Sequence, residues 1–256
     1  MSSIVQDLST AAGLFAFLLA SLEAGFRTGR RASRHHDAAP GEQVGAIQGA
    51  ILGMLGLLLA FSFAAAGSRF MERQDLIAQE ANAIGTSWLR ADLLGEPSRS
   101  ELRRALQTYT EHRVAVFAGR SGGLDAAALE AVDPQLTRIW SAALAGVAAR
   151  PAATLAVLPP VNEVIDLHTT RLAAARKHVP LLVLGLLVAC SSLALSVIGY
   201  GCGVAGRRRA PMTLPLTFLI GTALWVTIDL DYPRRGLIRL SDAPLEALRF
   251  DAPRGP

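Results

Sequence analysis

The stretch VGAIQGAILGMLGLLLAFSFAAAG (Val44–Gly67) carries no ionisable side chain. A bilayer is crossed by about 20 apolar residues in a helix, so this run is long enough to span one. It continues without a proline into SRFMERQDLIAQEANAIGTSWLRADLL (Ser68–Leu94), which is abruptly polar. Gly85 is the one weak point before Gly95-Glu96-Pro97 stops the pattern. At 1.5 Å per residue the rod from Val44 to Leu94 is roughly 75 Å long, more than twice the ~30 Å hydrocarbon thickness. The sequence therefore predicts a membrane helix that runs on into water and carries a polar domain with it.

Within the apolar half, Gly45, Gly49, Gly53, Gly56, Ala60, Ala64 and Gly67 recur at spacings of three and four, one stripe along a helix. Lipid offers no hydrophobic drive between helices, so close backbone approach along such a stripe is what favours association. Gly45, Gly49 and Gly53 form a doubled small-xxx-small motif and are expected to pack against another helix.

Composition agrees with this reading. The 256 residues are 51% hydrophobic and 6% aromatic, with a mean hydropathy of +0.35; that excludes disorder and suits membrane helices. The net charge of +4 comes almost entirely from arginine, Lys177 being the one lysine. Arginines flanking the spans explain the basicity, and no aromatic-interleaved basic patch points to nucleic acid. Cys190 and Cys202 both lie in apolar sequence without a CxxC partner and read as packing residues.

Outward from the long helix, residues 8–22 (LSTAAGLFAFLLASL) predict a first span, followed by the polar loop RTGRRASRHHDAAPGE. After Pro97, Ser98 and Glu101 have capping-box spacing and open a helix that ends near Gly119. Residues 120–132 read as a linker, Asp133-Pro134 opens the next helix, and Pro159-Pro160 introduces another. That helix is expected to run through Arg176-Lys177-His178 into the third span, Leu181–Gly206. There Gly185, Ala189, Ser192, Ser196, Gly199 and Gly203 form a second small stripe, with Gly185 and Gly199 as packing positions. Because both stripes sit on the best-defined spans, the second and third are expected to be neighbours. Met212–Asp231 is the fourth span, and PLEALRF in the tail predicts a short amphipathic turn.

The expectation is an all-α, polytopic membrane protein with four transmembrane helices and a helical-bundle extramembrane region inserted between helices 2 and 3. The divisions are 1–67, the first two spans; 68–178, the bundle, continuous with helices 2 and 3; 179–231, the last two spans; and 232–256, the tail. Counting arginines in short loops puts the loops inside and the bundle outside.

No hydrolase, phosphate-loop or metalloprotease motif occurs, nor a Cys/His metal set, so no catalytic residue, metal or cofactor is expected. His35-His36 reads as solvated. The informative polar residues are Glu80, Asn82, Arg90 and Asp92 on the long helix and Asp229, Asp231, Arg234 and Arg235 after the fourth span. Both groups fall on one side of the membrane, where Glu80 or Asp92 is expected to pair with Arg234 or Arg235. Asp229 precedes the end of its span and needs a partner there.

These residues carry a resemblance. Glu80-Ala81-Asn82-Ala83-Ile84-Gly85-Thr86, continuing to Leu89-Arg90-Ala91-Asp92-Leu93-Leu94, resembles one signature of the bestrophin-like domain family of bacterial membrane proteins. Asp229-Leu230-Asp231-Tyr232-Pro233-Arg234-Arg235-Gly236 resembles another. The resemblance implies distant kinship with bestrophins, pentameric chloride-type channels with four membrane helices and a cytosolic helical region. It thus implies a homo-oligomer in a bacterial inner membrane, passing chloride or another small anion, and places the bundle in the cytosol, opposite to the loop arginines. The second span would then line the pore through Leu55, Leu59 and Phe63, or in the alternative register Leu57, Phe61 and Ala65, an apolar ring that gates by dewetting. The competing reading is a membrane-anchored sensor or scaffold whose helical bundle binds a ligand or partner without transport.

Overall fold

A computed structural model of the chain describes residues 2–34, 41–118, 133–233 and 236–250; His35-His36, the linker 120–132, and Arg234 and Arg235 lie outside them. The described residues are helical, with no strand among them, and four helices are long and apolar enough to cross a membrane. The chain divides into two units, Met1–Arg69 with His178–Ile238, and Phe70–Lys177 with Arg239–Pro256.

The first unit holds helix α1 (Ser2–Arg34), the start of α2 (Gly41–Arg90), α6 (Leu181–Val204) and α7 (Ala210–Asp231). Its tightest pair is α1 with α6. A Cβ on Gly25 would overlap the Ser196 carbonyl, one on Gly29 the Tyr200 carbonyl, and one on Gly199 the Leu22 carbonyl. Ser21 and Ser192 share a hydrogen bond of 2.9 Å in the same register, and the Ser196 hydroxyl donates to the Ser21 carbonyl at 3.1 Å. Partners advance together along both helices, so the two run parallel. By contrast Gln48 on α2 donates to the Val197 carbonyl at 3.0 Å while Val44 lies near Gly201, so α2 runs antiparallel to α6. Phe15 stacks on Phe218 with centroids 5.5 Å apart, and Glu23 meets Arg208, so α7 is antiparallel to α1. This alternation of sense is what four successive crossings produce. An apolar cluster of Leu18, Leu55, Leu187, Leu195, Ile220 and Leu224 fills the middle.

The second unit holds the rest of α2, a 3₁₀ turn (Ala91–Leu93), α3 (Ser98–Ala118), α4 (Asp133–Ala149), α5 (Thr154–Arg176) and the short α8 (Ala243–Glu246). Ile77, Ile84, Leu102, Leu106, Ile139, Val157, Val161 and Val164 are buried in one core, with Leu245 from the tail. Each such side chain contributes about 1.5–3 kcal/mol on leaving water.

Four expectations are corrected here. Helix α1 does not stop near Leu22 but reaches Arg34, because Gly25 and Gly29 continue its packing face while the arginines point outward. Helix α3 is capped by Glu96, whose carboxylate accepts from the Ser100 amide and hydroxyl at 3.3 and 2.7 Å, and not by Ser98 and Glu101 as a box. Pro159 and Pro160 sit inside α5 rather than at its start. Pro160 has no N–H for the Ala156 carbonyl four residues back, and the Arg90 guanidinium donates to that carbonyl instead, at 2.8 Å. Lastly, α5 and α6 are separate: the backbone is extended at Lys177 and opens again at Pro180, whose ring disfavours helix in the residue before it.

Candidate functional site

The first signature lies on the inner face of α2 in the second unit. Ile77, Glu80, Ile84, Ser87 and Ala91 recur at helical spacing and are fully or almost fully buried, so Glu80 sits on the same face as the core. A carboxylate taken from water must find compensating charge and donors. Glu80 finds three. Arg113 of α3 approaches with Nε 3.2 Å from Oε1 and Nη2 3.3 Å from Oε2. Arg171 of α5 bonds Oε2, and the Tyr109 hydroxyl donates to Oε1. Arg171 also lies 3.8 Å from Asp242 of the tail. Burial pushes the Tyr109 phenol up to about 12, and burial also holds the Arg113 guanidinium below its usual value. One carboxylate thus ties α2, α3 and α5 together.

Seven residues before Glu80, Arg73 is buried and donates through Nε to the Ala174 carbonyl at 3.1 Å and through Nη2 to that of Lys177. A guanidinium there satisfies carbonyls the end of α5 leaves open and complements its dipole. The tail is held on the same unit. Gln74 donates to the Ser241 carbonyl and accepts from its amide, both at 2.9 Å, and Phe250 packs edge-on against Trp88 with centroids 4.8 Å apart.

The second signature closes the far end of the first unit. Asp231, with no exposed surface, takes Arg69 Nε at 3.2 Å on one oxygen. Its other oxygen takes the Val179 amide at 2.9 Å and lies 3.3 Å from His178 Nδ1. His178 Nδ1 is also 3.0 Å from the Asp231 carbonyl, and the imidazole stacks on Tyr232 with centroids 4.5 Å apart. The break before Pro180 thereby has its exposed amide satisfied. Two residues earlier, Asp229 accepts from the Leu237 and Ile238 amides at 3.1 and 2.7 Å and turns the chain back after α7. Gly236 is required there, since a Cβ would overlap the Asp229 carboxylate.

A model of the bestrophin-like domain matches residues 14–245, a span that includes both signatures. The chain belongs to the bestrophin-like family. No curated protein and no solved structure matches it. Family membership and the four apolar helices together make it a multi-pass membrane protein.

Against the family signatures, the structure brings some expected residues together and not others. The pairing of Glu80 or Asp92 with Arg234 or Arg235 involves arginines outside the described residues; among the described residues Glu80 meets Arg113 and Arg171. Asp92 lies 2.9 Å from the largely buried Arg103 and 4.0 Å from the more exposed Arg99, and Asn82 is exposed. Gly199 lies against the Leu22 and Phe26 backbone of α1. Gly45, Gly49, Gly53 and Gly185 meet nothing within 4 Å, because the third bestrophin-like span gives its close-packing face to α1 and not to α2. Of the pore-lining candidates, Leu55 is only 2% exposed and belongs to the apolar cluster, with Leu59 packed beside it. Leu57, Phe61 and Phe63 are 57%, 67% and 47% exposed. The sequence reading missed Gly25 and Gly29, although their four-residue spacing was visible within residues 8–34. It also missed the partners Arg113, Arg171 and His178, for which distance along the chain left no signal.

Proposed function

We propose that this bestrophin-like protein works as a homo-oligomeric channel for chloride or another small anion in a bacterial inner membrane. The observation that supports it is the outer half of α2 between Val44 and Gly67. This is an apolar span with only 11% of its most hydrophobic window buried. Its glycine stripe is open at Gly45, Gly49, Gly53, Gly56 and Gly67. Glycine at these positions is weak helix material, and in lipid it is repaid by close contact with another helix. Among the described residues no helix takes that contact, so a second copy is its partner in this reading. Beside the stripe, Leu57 and Phe61 are then the apolar ring, and the Leu55 register is set aside because that side chain is buried internally. Such a ring passes or blocks ions by wetting and dewetting. In the same reading the helices of residues 68–178 lie outside the bilayer as the bundle inserted between helices 2 and 3.

The test is chloride flux from liposomes reconstituted with the purified chain, beside mass photometry of the detergent-solubilised protein. A closed ring of subunits with flux that Phe61→Ala increases is expected. A strict monomer, or a ring that leaks no anion with either side chain, overturns the channel. A stable co-purifying partner without flux supports the scaffold reading instead.

A further inference from the structure

At the arginine-rich end of the first unit, α1 and α7 separate. They touch at Phe15 and Phe218, where a Cβ on Gly221 would press on the Phe15 ring, and again where Glu23 meets Arg208. Between these contacts lies a groove of about 260 Å³, walled by Leu19, Leu22, Phe26 and Leu214 and opening at Arg208 and Arg209. The two arginines differ in state. Arg208 is held bidentate by Glu23 at 2.9 and 3.0 Å and lies over the Phe26 ring at 4.4 Å, so its charge is already met. Arg209 is exposed and has no carboxylate within ion-pair distance among the described residues. The surrounding helix ends add Arg27, Arg30, Arg31, Arg34 and Arg207, against Glu23 as the one acid within residues 20–34 and 200–214.

We propose that this groove is a binding site for one anionic glycerophospholipid of the bilayer. One acyl chain lies along Leu19, Leu22, Phe26 and Leu214, and the headgroup phosphate rests on Arg209. The groove opens on the lipid-facing surface of two spans, where an apolar slot is filled by hydrocarbon, and the arginine at its mouth stands at headgroup level. Arg208 shapes the wall and leaves the recognition of charge to Arg209. The site does not depend on whether the protein conducts ions.

Native mass spectrometry of the full chain in detergent tests this, with phosphatidylglycerol and phosphatidylcholine of identical acyl chains as probes. One phosphatidylglycerol per chain is expected, retained about five-fold better than phosphatidylcholine, the preference one basic group supplies near a membrane surface. Arg209→Gln abolishes that preference but leaves residual binding of both lipids. Leu214→Trp fills the slot and lowers both, and Arg31→Gln, on an exposed arginine outside the groove, changes neither. Equal retention of the two lipids by the unsubstituted chain overturns the site, as does an equal loss in Arg31→Gln and Arg209→Gln, which is diffuse electrostatics. Competition by inorganic phosphate at the lipid's concentration shows a free-anion site and overturns the lipid assignment.

Discussion

Substituting Glu80→Gln keeps the volume and one acceptor for Tyr109 but removes the negative charge that faces Arg113 and Arg171. Those guanidiniums are 2% and 7% exposed, so water cannot take over from the carboxylate. Breaking a buried pair by deleting one partner costs about 3–5 kcal/mol, because a charge is left uncompensated. Asp242 remains, 3.8 Å from Arg171 and near enough to act on Arg113 as well, which puts the result toward the lower end. At 1.4 kcal/mol per decade, amides of α3 and α5 that exchange through opening of this unit should lose roughly 100- to 3,000-fold in protection. Hydrogen exchange read by mass spectrometry, on both proteins at one pH in the same detergent, measures this directly. Combining Glu80→Met with Arg113→Met removes both charges and should recover most of the loss, since apolar replacement of a buried pair is often neutral. Unchanged protection in Glu80→Gln, or a double variant worse than the single, would refute the role given to this carboxylate.

Asp229→Ala leaves the Leu237 and Ile238 amides without their acceptor, at about 1–3 kcal/mol, and should make the chain after α7 the first site of proteolytic nicking, with Asp229→Asn intermediate. Gly199→Leu drives a side chain into the Leu22 backbone and should yield no folded protein by size exclusion, whereas Gly45→Leu enters open space and should leave the chain folded while lowering its oligomeric state. An equal effect of the two would contradict the packing described. Tyr109, raised from 10.0 to about 12, stays neutral in the folded chain after an unfolded one would ionise. Its contribution to stability is complete below pH 10 and is lost as pH rises toward about 12, so an alkaline absorbance titration should show one late tyrosine that Tyr109→Phe removes.

The four spans, the long α2 helix and the all-helical class were legible because their signals are local: apolar runs of sufficient length, helical spacing and proline punctuation. The residues of the two signatures were legible too, as polar positions out of keeping with their surroundings. Their partners were not. Arg113 and Arg171 stand 33 and 91 positions from Glu80, and nothing in spacing along one helix states which guanidinium arrives from another. The end of α1 was misplaced for a different reason. Arg27, Arg30 and Arg31 look like a loop when charge alone is read, yet a helix can carry them on its outer face while Gly25 and Gly29 hold the inner one. Similarly, Pro159 and Pro160 read as a helix start, because the sequence does not reveal that Arg90 serves the carbonyl that Pro160 leaves free.

The geometry also shows what the buried carboxylates of the two signatures hold. Glu80 is occupied by Arg113, Arg171 and Tyr109, Asp231 by Arg69, Val179 and His178, and Asp229 by two backbone amides. Each acceptor meets donors supplied by the fold itself, which is the condition for a buried carboxylate to persist in a helical core or at the end of a span. Such groups fix helices and turns, and a passing ion would compete with the bonds that hold them. The unmet contacts lie elsewhere, on the outer face of α2, where a glycine stripe stands open beside Leu57 and Phe61. In the channel we propose, transport rests on an apolar surface completed by other copies, while the carboxylates of the two signatures brace the helices and turns of their own units.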